Sequence, residues 1–195
     1  MPARDKKRLR SSALALRRSL TPEFRRQASD AVVKRLAELP EIVSAQAVAA
    51  YVSDGEEPDL QVFIDAFLRH GGTVFLPRSR QTANGLEYEL AAAGSDPGDL
   101  VRGSYGIMEP HPECRLATAE ELERMVWLVP GVAFDMSGRR LGRGKGFYDR
   151  LLPGGGGFKV GIFYECQRVD AVPVEPHDRF LDAVATEIAI YRFNN

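Results

Sequence analysis

Apolar positions along the chain change their spacing several times, and each change marks an element. From Arg4 to Ser19, Leu9, Ala13, Leu16 and Leu20 recur every three or four residues, which predicts a helix with one apolar face. Thr21, Pro22 and Glu23 then supply an N-cap, a first-turn proline and a first-turn acid, so a second helix begins there. Its inner face is Ala28, Val32, Val33 and Leu36, and it ends before Pro40. Ala47 to Val52 is a continuous apolar run, read as a strand. Ser53, Asp54 and Gly55 form a turn, and a third helix starts near Pro58 and runs to about Arg69. Gly71 and Gly72 end it, and Thr73 to Leu76 is the next strand. Strand, helix, strand makes one βαβ unit with a right-handed crossover. Pro77 and Arg78 fall at that strand's end, Gln81 to Gly85 reads as a turn, and Leu86 to Leu90 alternates as an edge or antiparallel strand.

The second half follows the same logic. Ala93 to Gly106 is loop-like, rich in glycine and proline, and Thr118 to Met125 is a short helix with acids in its first turn. Val126 to Val129 is a short, fully apolar run with β-branched residues, a buried strand that Pro130 and Gly131 break. Val132 to Phe134 is a second apolar run, and Asp135 to Gly138 is a turn, with Asp first and Gly fourth. A helix starts over Phe147 to Leu152, and Pro153 with Gly154 to Gly157 forms another turn. Lys159 to Tyr164 and Ala183 to Tyr191 are the last two strands. The fold class is α/β: a layered mixed β-sheet with helices on both faces and a Rossmann-like βαβ core, one domain over 1–195.

Composition narrows the function classes. Hydrophobic residues make up 44% of the 195, enough for a real core, and the formal net charge is −1, so nothing global draws the chain to nucleic acid or membrane. Cys114 and Cys166 are far apart without metal-ligand spacing, which suggests a reducing compartment. No apolar run is long enough to cross a bilayer, and the basic N-terminus lacks the apolar stretch of a secretory signal. An Arg- and Ser-rich start also mimics a mitochondrial transit peptide, but those residues have a better use in a binding site, so the expectation is a cytoplasmic monomer. Lys6, Lys7, Arg8, Arg10, Arg17 and Arg18 are distributed around the first helix, most of them as a solvated cationic face; Lys6 and Arg10, four apart, share one side of it.

Candidate chemistry concentrates in RRLGRGKGFYDR, which starts at Arg139. Gly142, Gly144 and Gly146 alternate with Arg143 and Lys145. Glycines so spaced let backbone N–H groups approach a ligand and form an anion-binding nest, and a helix N-terminus after them would add positive field. Asp149 among these cations is either their counter-ion or a Mg²⁺ ligand beside phosphates. The pattern points to a nucleotide-polyphosphate loop; the bland alternative is a solvated basic loop, disfavoured by its place between a buried strand and a helix. A Walker A loop is excluded, because Gly146 follows Gly144 and Lys145 and Arg139 stands at the first-glycine position. A dinucleotide fingerprint fails at Phe147, where it needs a third glycine. Glu56, Glu57 and Asp59 form an acidic loop at the carboxyl end of a strand, a ligand-binding position in open α/β sheets. Cys166 lacks the neighbours of a nucleophile, and His111 and His177 lack the pattern of a zinc site.

From Val129 to Leu152 the sequence, VPGVAFDMSGRRLGRGKGFYDRLL, resembles the signature of the 5-formyltetrahydrofolate cyclo-ligase family, also called 5,10-methenyltetrahydrofolate synthetase. Supporting pieces run from Lys6 to about Ile190. The resemblance implies ATP as co-substrate, Mg²⁺ and a reduced folate, with no nucleic acid or membrane partner. It implies that Lys6 and Arg10 contact the ATP phosphates, together with Arg140, Leu141, Gly142, Arg143, Gly144, Lys145, Gly146, Phe147 and Tyr148. It places Val52 and Glu57 at the pterin, with Arg143, Gly144, Lys145, Gly146 and Phe147 also facing the folate, and makes Arg143 and Lys145 catalytic. Asp149 and Asp178 match the Mg²⁺ positions. Asp182 matches a further acidic position, although Leu181 stands where the family usually has Val. Phe147 stands where the family often has Tyr. Pro77 with Arg78 and a Gly-Ile-x-Glu-Pro segment ending at Glu109 and Pro110 also resemble the family. Arg78 meets the substrate's acidic tail or a phosphate, or is a surface residue; Glu109 lines the folate site or stabilises a turn. The family's reaction would have ATP phosphorylate the formyl oxygen before N10 attacks. Two other classes compete: an RNA- or partner-binding module using the same basic loop, and a kinase or ligase acting on another small carboxylate.

Overall fold

The structure is a computed structural model that describes residues 2–83, 85–94, 99–103, 106–144, 147–152, 156–175 and 178–193; of residues 2–4, 147 and 149 it describes the backbone only. Two helices come first, α1 (Pro2–Ser19) and α2 (Pro22–Ala37), then one turn of helix, α3 (Pro40–Val43). Thr21 caps α2 as its sequence predicts, its side chain accepting from the Phe24 N–H at 3.2 Å. Strand β1 (Ala47–Ala49), helix α4 (Gln61–Arg69) and strand β2 (Thr73–Thr82) make the βαβ unit, and β3 (Gly85–Ala92) returns antiparallel to β2. A small hairpin of β4 (Leu100–Arg102) and β5 (Met108–Pro110) precedes α5 (Ala119–Arg124). The central stretch is β6 (Val126–Pro130), β7 (Ala133–Phe134), β8 (Arg140–Leu141) and α6 (Phe147–Leu151). Strands β9 (Phe158–Ile162), β10 (Ala183–Ala185) and β11 (Ile190–Arg192) finish the chain.

Seven strands form the main sheet in the order β11-β10-β9-β6-β1-β2-β3. Its five inner strands are parallel to one another, and β3 and β11 are antiparallel edges. Alternation along the inner strands builds two cores. Val48, Val74, Val126, Leu128, Val160 and Ile162 face α2 and α4. Ala49, Phe75, Trp127, Val129 and Val184 face the opposite side, where Leu122 of α5 and Tyr148 and Leu151 of α6 pack. Burial on both faces explains why β6 reads as an unbroken apolar run. Each fully buried aliphatic side chain contributes about 1.5–3 kcal/mol; Val32 and Leu36 of α2 are both 0% exposed.

Four expectations change. Strand β2 continues to Thr82 rather than ending at Leu76. After Phe75 it has lost β1 as a neighbour, so Pro77 needs no donor on that side, and β3 alone carries the ladder. Loop-like residues 93–106 include β4, hidden in the sequence by surrounding Gly and Pro. The final strand breaks in two because the Thr186 hydroxyl accepts from the Ile188 and Ala189 N–H groups, both at 3.2 Å, folding β11 back on β10. Strand β1 stops at Ala49, and Tyr51 and Val52 leave the sheet.

Helix α1 stands apart from both cores. Its Ala13 packs on Val132, Ala133, Leu141 and Val172. The helix therefore lies over segments that follow β6, at the carboxyl end of the parallel strands.

Candidate active site

A cavity of about 740 Å³ opens at that carboxyl end. Tyr51 and Val52 line it after β1, Leu76 and Pro77 where the parallel pairing of β2 stops, and Pro130 and Gly131 at the end of β6. Lys6 and Arg10 of α1 close one side, with Asp54 and Glu57 and the segment Arg140 to Gly144 around them. This is the expected position for a ligand in a sheet of this class.

The inward face of α1 is only partly the one that apolar spacing predicts: Ala13 is buried and Leu9 packs beside it. Leu16 is 54% exposed, whereas Lys6 is 9% and Arg17 0% exposed. The inward stripe is Lys6, Ala13 and Arg17, all buried, with Arg10 half-buried between them, and the small Ala13 lets the helix approach. The Lys6 ammonium donates to Glu175 and Asp178, both at 2.7 Å. Burial lowers its pKa, but the bonds to Asp178 and Glu175 outweigh that and leave it raised. Arg10 Nε donates to the Gly142 carbonyl at 2.9 Å. Gly144, with φ +88°, lies so close that an added Cβ would sit 3.1 Å from the Arg10 guanidinium carbon. The backbone conformation favours glycine there, and a side chain would also have to displace the guanidinium by a few tenths of an ångström.

Asp54 shapes the acidic loop. Its Oδ1 accepts from the N–H groups of Glu56 at 2.9 Å and Glu57 at 3.1 Å, and Ser53 Oγ donates to the Glu57 carbonyl at 2.9 Å. The Glu57 side chain is thereby turned inward, and Arg143 Nη2 donates to it at 3.1 Å and also to Asp54. Arg17 approaches the same three acids, at 3.2 Å from Glu56, 3.6 Å from Glu57 and 3.8 Å from Asp54. Burial pushes the Glu57 carboxyl up, against the pull of Arg143. Asp54 is held down: burial opposes it, but the hydrogen bond from Arg143 prevails. Burial lowers the Arg143 pKa, yet Glu57 and Asp54 raise it on balance.

Arg140 is buried at the back, donating to the Pro130 carbonyl at 3.4 Å, with its guanidinium 5.6 Å from the centre of the Tyr148 ring. Burial raises the Tyr148 phenol well above its ordinary pKa, so it stays neutral. Gly142 sits over Arg140, where an added Cβ would come 3.0 Å from Nη1. Gln167, buried beside α1, donates to the carbonyls of Gly131 at 3.0 Å and Val132 at 2.9 Å, fixing the segment after β6. Helix α6 has five residues, too few for the dipole field expected at its start. Lys145 and Gly146 lie outside the described residues, as do the side chains of Phe147 and Asp149.

Thus Lys6, Arg10, Val52, Glu57, Arg140, Leu141, Gly142, Arg143, Gly144, Tyr148 and Asp178 border one cavity. Arg78 does not: it is buried in the β2–β3 hairpin, paired with Glu89 at 2.6 Å and donating to the His111 carbonyl at 2.6 Å, so it ties the hairpin to the segment after β5. Glu109 borders the cavity and also accepts from the Ser79 N–H at 2.9 Å, joining β5 to β2. Asp182 accepts from the Lys159 N–H at 2.7 Å and serves the sheet. Cys166 is half-buried, and burial raises its thiol pKa, as a packing residue requires.

Sequence reasoning missed Arg17, Tyr51, Asp54, Tyr88 and Glu175. Arg17 carried a signal, since it continues the Lys6, Arg10, Ala13 spacing by four. Asp54 and Glu175 carried none beyond their loops, because pairing with Arg143 and Lys6 is set by tertiary contact.

Among the described residues no group of three His, Cys, Asp or Glu side chains is placed to hold a metal ion. Glu175 and Asp178 do converge as a pair, on the Lys6 ammonium. Magnesium beside phosphates takes one or two carboxylates and completes its shell with phosphate oxygens and water, so this donor pair fits the ion. Among the described residues no helix is long and apolar enough to cross a membrane.

Comparison with known proteins agrees with the fold. The model of the 5-formyltetrahydrofolate cyclo-ligase family matches residues 2–187. The 5-formyltetrahydrofolate cyclo-ligase of Mycolicibacterium smegmatis is 36% identical over 189 residues, 95% of each chain. That of Escherichia coli is 35% identical over 182 residues, 91% of this chain and 97% of the other. The NMR structure of Aquifex aeolicus 5,10-methenyltetrahydrofolate synthetase superposes with a TM-score of 0.83 at 36% identity, over 97% of this chain and 93% of that one. With this architecture, this cavity and a match along nearly its whole length, the chain belongs to the 5-formyltetrahydrofolate cyclo-ligase family.

Proposed function

We propose that this protein converts 5-formyltetrahydrofolate to 5,10-methenyltetrahydrofolate, with ATP and Mg²⁺, releasing ADP and phosphate. One observation carries this: a single cavity is lined both by cations of α1 and of the 140–144 segment and by the inward carboxylate of Glu57. The cationic lining suits a polyphosphate. A carboxylate suits a pterin, which offers adjacent N–H donors to its two oxygens.

The N5-formyl group is an amide, a weak electrophile with a poor leaving oxygen. Its oxygen attacks the γ-phosphorus and ADP leaves. The formyl carbon, now bearing phosphate, takes the electron pair of N10; the C–O bond breaks, phosphate leaves, and N10 loses its proton to solvent. The protein needs no nucleophile of its own, only positioning and charge stabilisation. Arg10, Arg143 and the amides of Gly142 and Gly144 would hold the triphosphate, and Lys6 would close over it. Lys145 and Gly146 would complete the loop, and Phe147 or Tyr148 would flank the pterin or adenine. Mg²⁺, held by Asp178 with Glu175 or with Asp149, would offset negative charge on the phosphates. Arg143 has a second role. Paired with Asp54 and Glu57, it can exchange to an arriving phosphate and leave both Glu57 oxygens to the pterin.

Mixing the purified protein with 5-formyltetrahydrofolate and Mg-ATP should give the near-ultraviolet absorption of the methenyl product, only when both ATP and Mg²⁺ are present. No absorption from folded protein that still binds ATP would contradict the proposal and point to another acceptor.

A further inference from the structure

Arg17 is the most deeply buried charge beside the cavity, and nothing in the reaction above uses it. Its side chain is 1% exposed. Nη2 donates to Glu56 at 3.2 Å. Nε and Nη1 are buried without a hydrogen-bond partner among the described residues, and Nη1 stands 3.6 Å from the Glu57 carboxylate. Buried N–H groups without partners weaken folding, and an apolar side chain would fill such a site with less cost. Anchoring the loop does not account for the arginine. Glu56 is already paired with Arg18 at 3.0 Å, and Asp54 already binds the N–H groups of Glu56 and Glu57. What Arg17 adds is a second, buried positive charge at the Glu57 oxygen that Arg143 also reaches, fixed in the helix rather than carried on the basic segment.

We propose that Arg17 is a positioning residue for substrate binding, whose buried guanidinium holds the Glu57 carboxylate in place and in charge while the reduced folate is bound. The proposal rests on the assignment of Glu57 to the pterin made above. The groups facing Glu57 are Arg17 from α1, Asp54 from its own loop, Arg143 from the basic segment, Tyr51 after β1 and Tyr148 of α6. Asp54 disfavours the charged form of Glu57, as burial does; both tyrosines are neutral, their phenols raised chiefly by burial. Only Arg143 and Arg17 favour it. Once Arg143 turns to the nucleotide, Arg17 is the remaining cation among these groups. Without it Glu57 takes up a proton at a higher pH, and a protonated carboxyl no longer accepts from two N–H donors.

The sign follows. Folate binding needs ionised Glu57, so a higher Glu57 pKa weakens binding as pH falls. Arg17→Gln and Arg17→Met should raise the KM for 5-formyltetrahydrofolate about tenfold or more near pH 6 and less near pH 8, with the KM for ATP within about twofold. In a Glu57→Gln background, which cannot ionise, removing Arg17 should add nothing to the folate KM. A rise that is the same at every pH, or that persists undiminished in the Glu57→Gln background, would make Arg17 merely structural and overturn the proposal. Should neither uncharged variant fold, Arg17→Lys decides. It keeps the charge and loses the fork, so the folate KM should rise a few-fold and the ATP KM should not; equal rises in both would overturn the proposal. Glu57→Gln alone separates the two levels. If it leaves the folate KM unmoved, the pterin assignment itself is wrong and the role of Arg17 falls with it. If it raises that KM while Arg17→Gln does not, only the role of Arg17 is lost.

Discussion

Helices α1 and α2 lie next to each other in the chain and bury opposite kinds of surface. In α2 the apolar residues Ala28, Val32 and Leu36 point into the main core, with a capping threonine at its start. In α1 the cationic residues Lys6 and Arg17 point inward, and Leu16 is left in solvent. One helix lies on the sheet's face, where the contact is mainly apolar. The other lies over the carboxyl ends of the strands, where Asp54, Glu57, Glu175 and Asp178 gather. Burial follows what the neighbouring surface offers, and at the site that surface is charged. The functional difference should be as clear: α1 should govern turnover, and α2 stability.

The largest expected effect is on the first helix. Lys6→Ala or Arg10→Ala should lower kcat/KM by about 100- to 1,000-fold, as loss of one donor to developing charge does in other sites. Initial rates measured alongside melting curves check this; near-normal rates would place α1 outside the chemistry. Next comes Leu36→Ala in α2, which should cost about 2–5 kcal/mol of stability and lower Tm by roughly 5–20 °C. The kcat of the folded fraction should be unchanged, and a fall in kcat would erase the contrast between the helices. Thr21→Ala, which removes the α2 cap, should cost about 1 kcal/mol in a denaturant titration, again without kinetic effect.

The smallest effect belongs to α5, where the Arg115 guanidinium beside Glu121 holds its carboxyl down at about 2, with the Thr118 cap helping. A lowered carboxylate pKa gives stability that is present above the unfolded value near 4.5 and lost as pH falls through about 2. Glu121→Gln should therefore lower stability slightly at neutral pH, because the pair is on the surface, with the deficit vanishing as pH falls from about 4.5 to about 2, so that the acid limb flattens between those values. An unchanged acid limb would assign the loss to other carboxylates.

Much of this was legible from residue order. The unbroken apolar run of β6 marked a strand buried on both faces, and the Thr21, Pro22, Glu23 start of α2 needed no tertiary context. Gly142 and Gly144 signalled close backbone approach, and Arg10 supplies it at both. Periodicity placed Leu9 and Ala13 inward in α1 but misplaced Leu16, because hydrophobic spacing assumes that an inward face is apolar. The pairings of Arg143 with Asp54 and Glu57, and of Lys6 with Glu175 and Asp178, join residues far apart in sequence. No local pattern encodes them. The break after Ala185 turns on one hydroxyl, that of Thr186, which a run of β-branched residues conceals.

The account centres on a division of the cavity between Glu57, for the folate, and the cations facing it, for the nucleotide. The KM values of both substrates for Glu57→Gln, taken in one assay, test that division most directly. The folate KM should rise about tenfold or more, from loss of a charged acceptor. The ATP KM should stay level or fall, because Arg143 loses a competitor for phosphate. Equal increases in both, or an increase for ATP alone, would contradict the division.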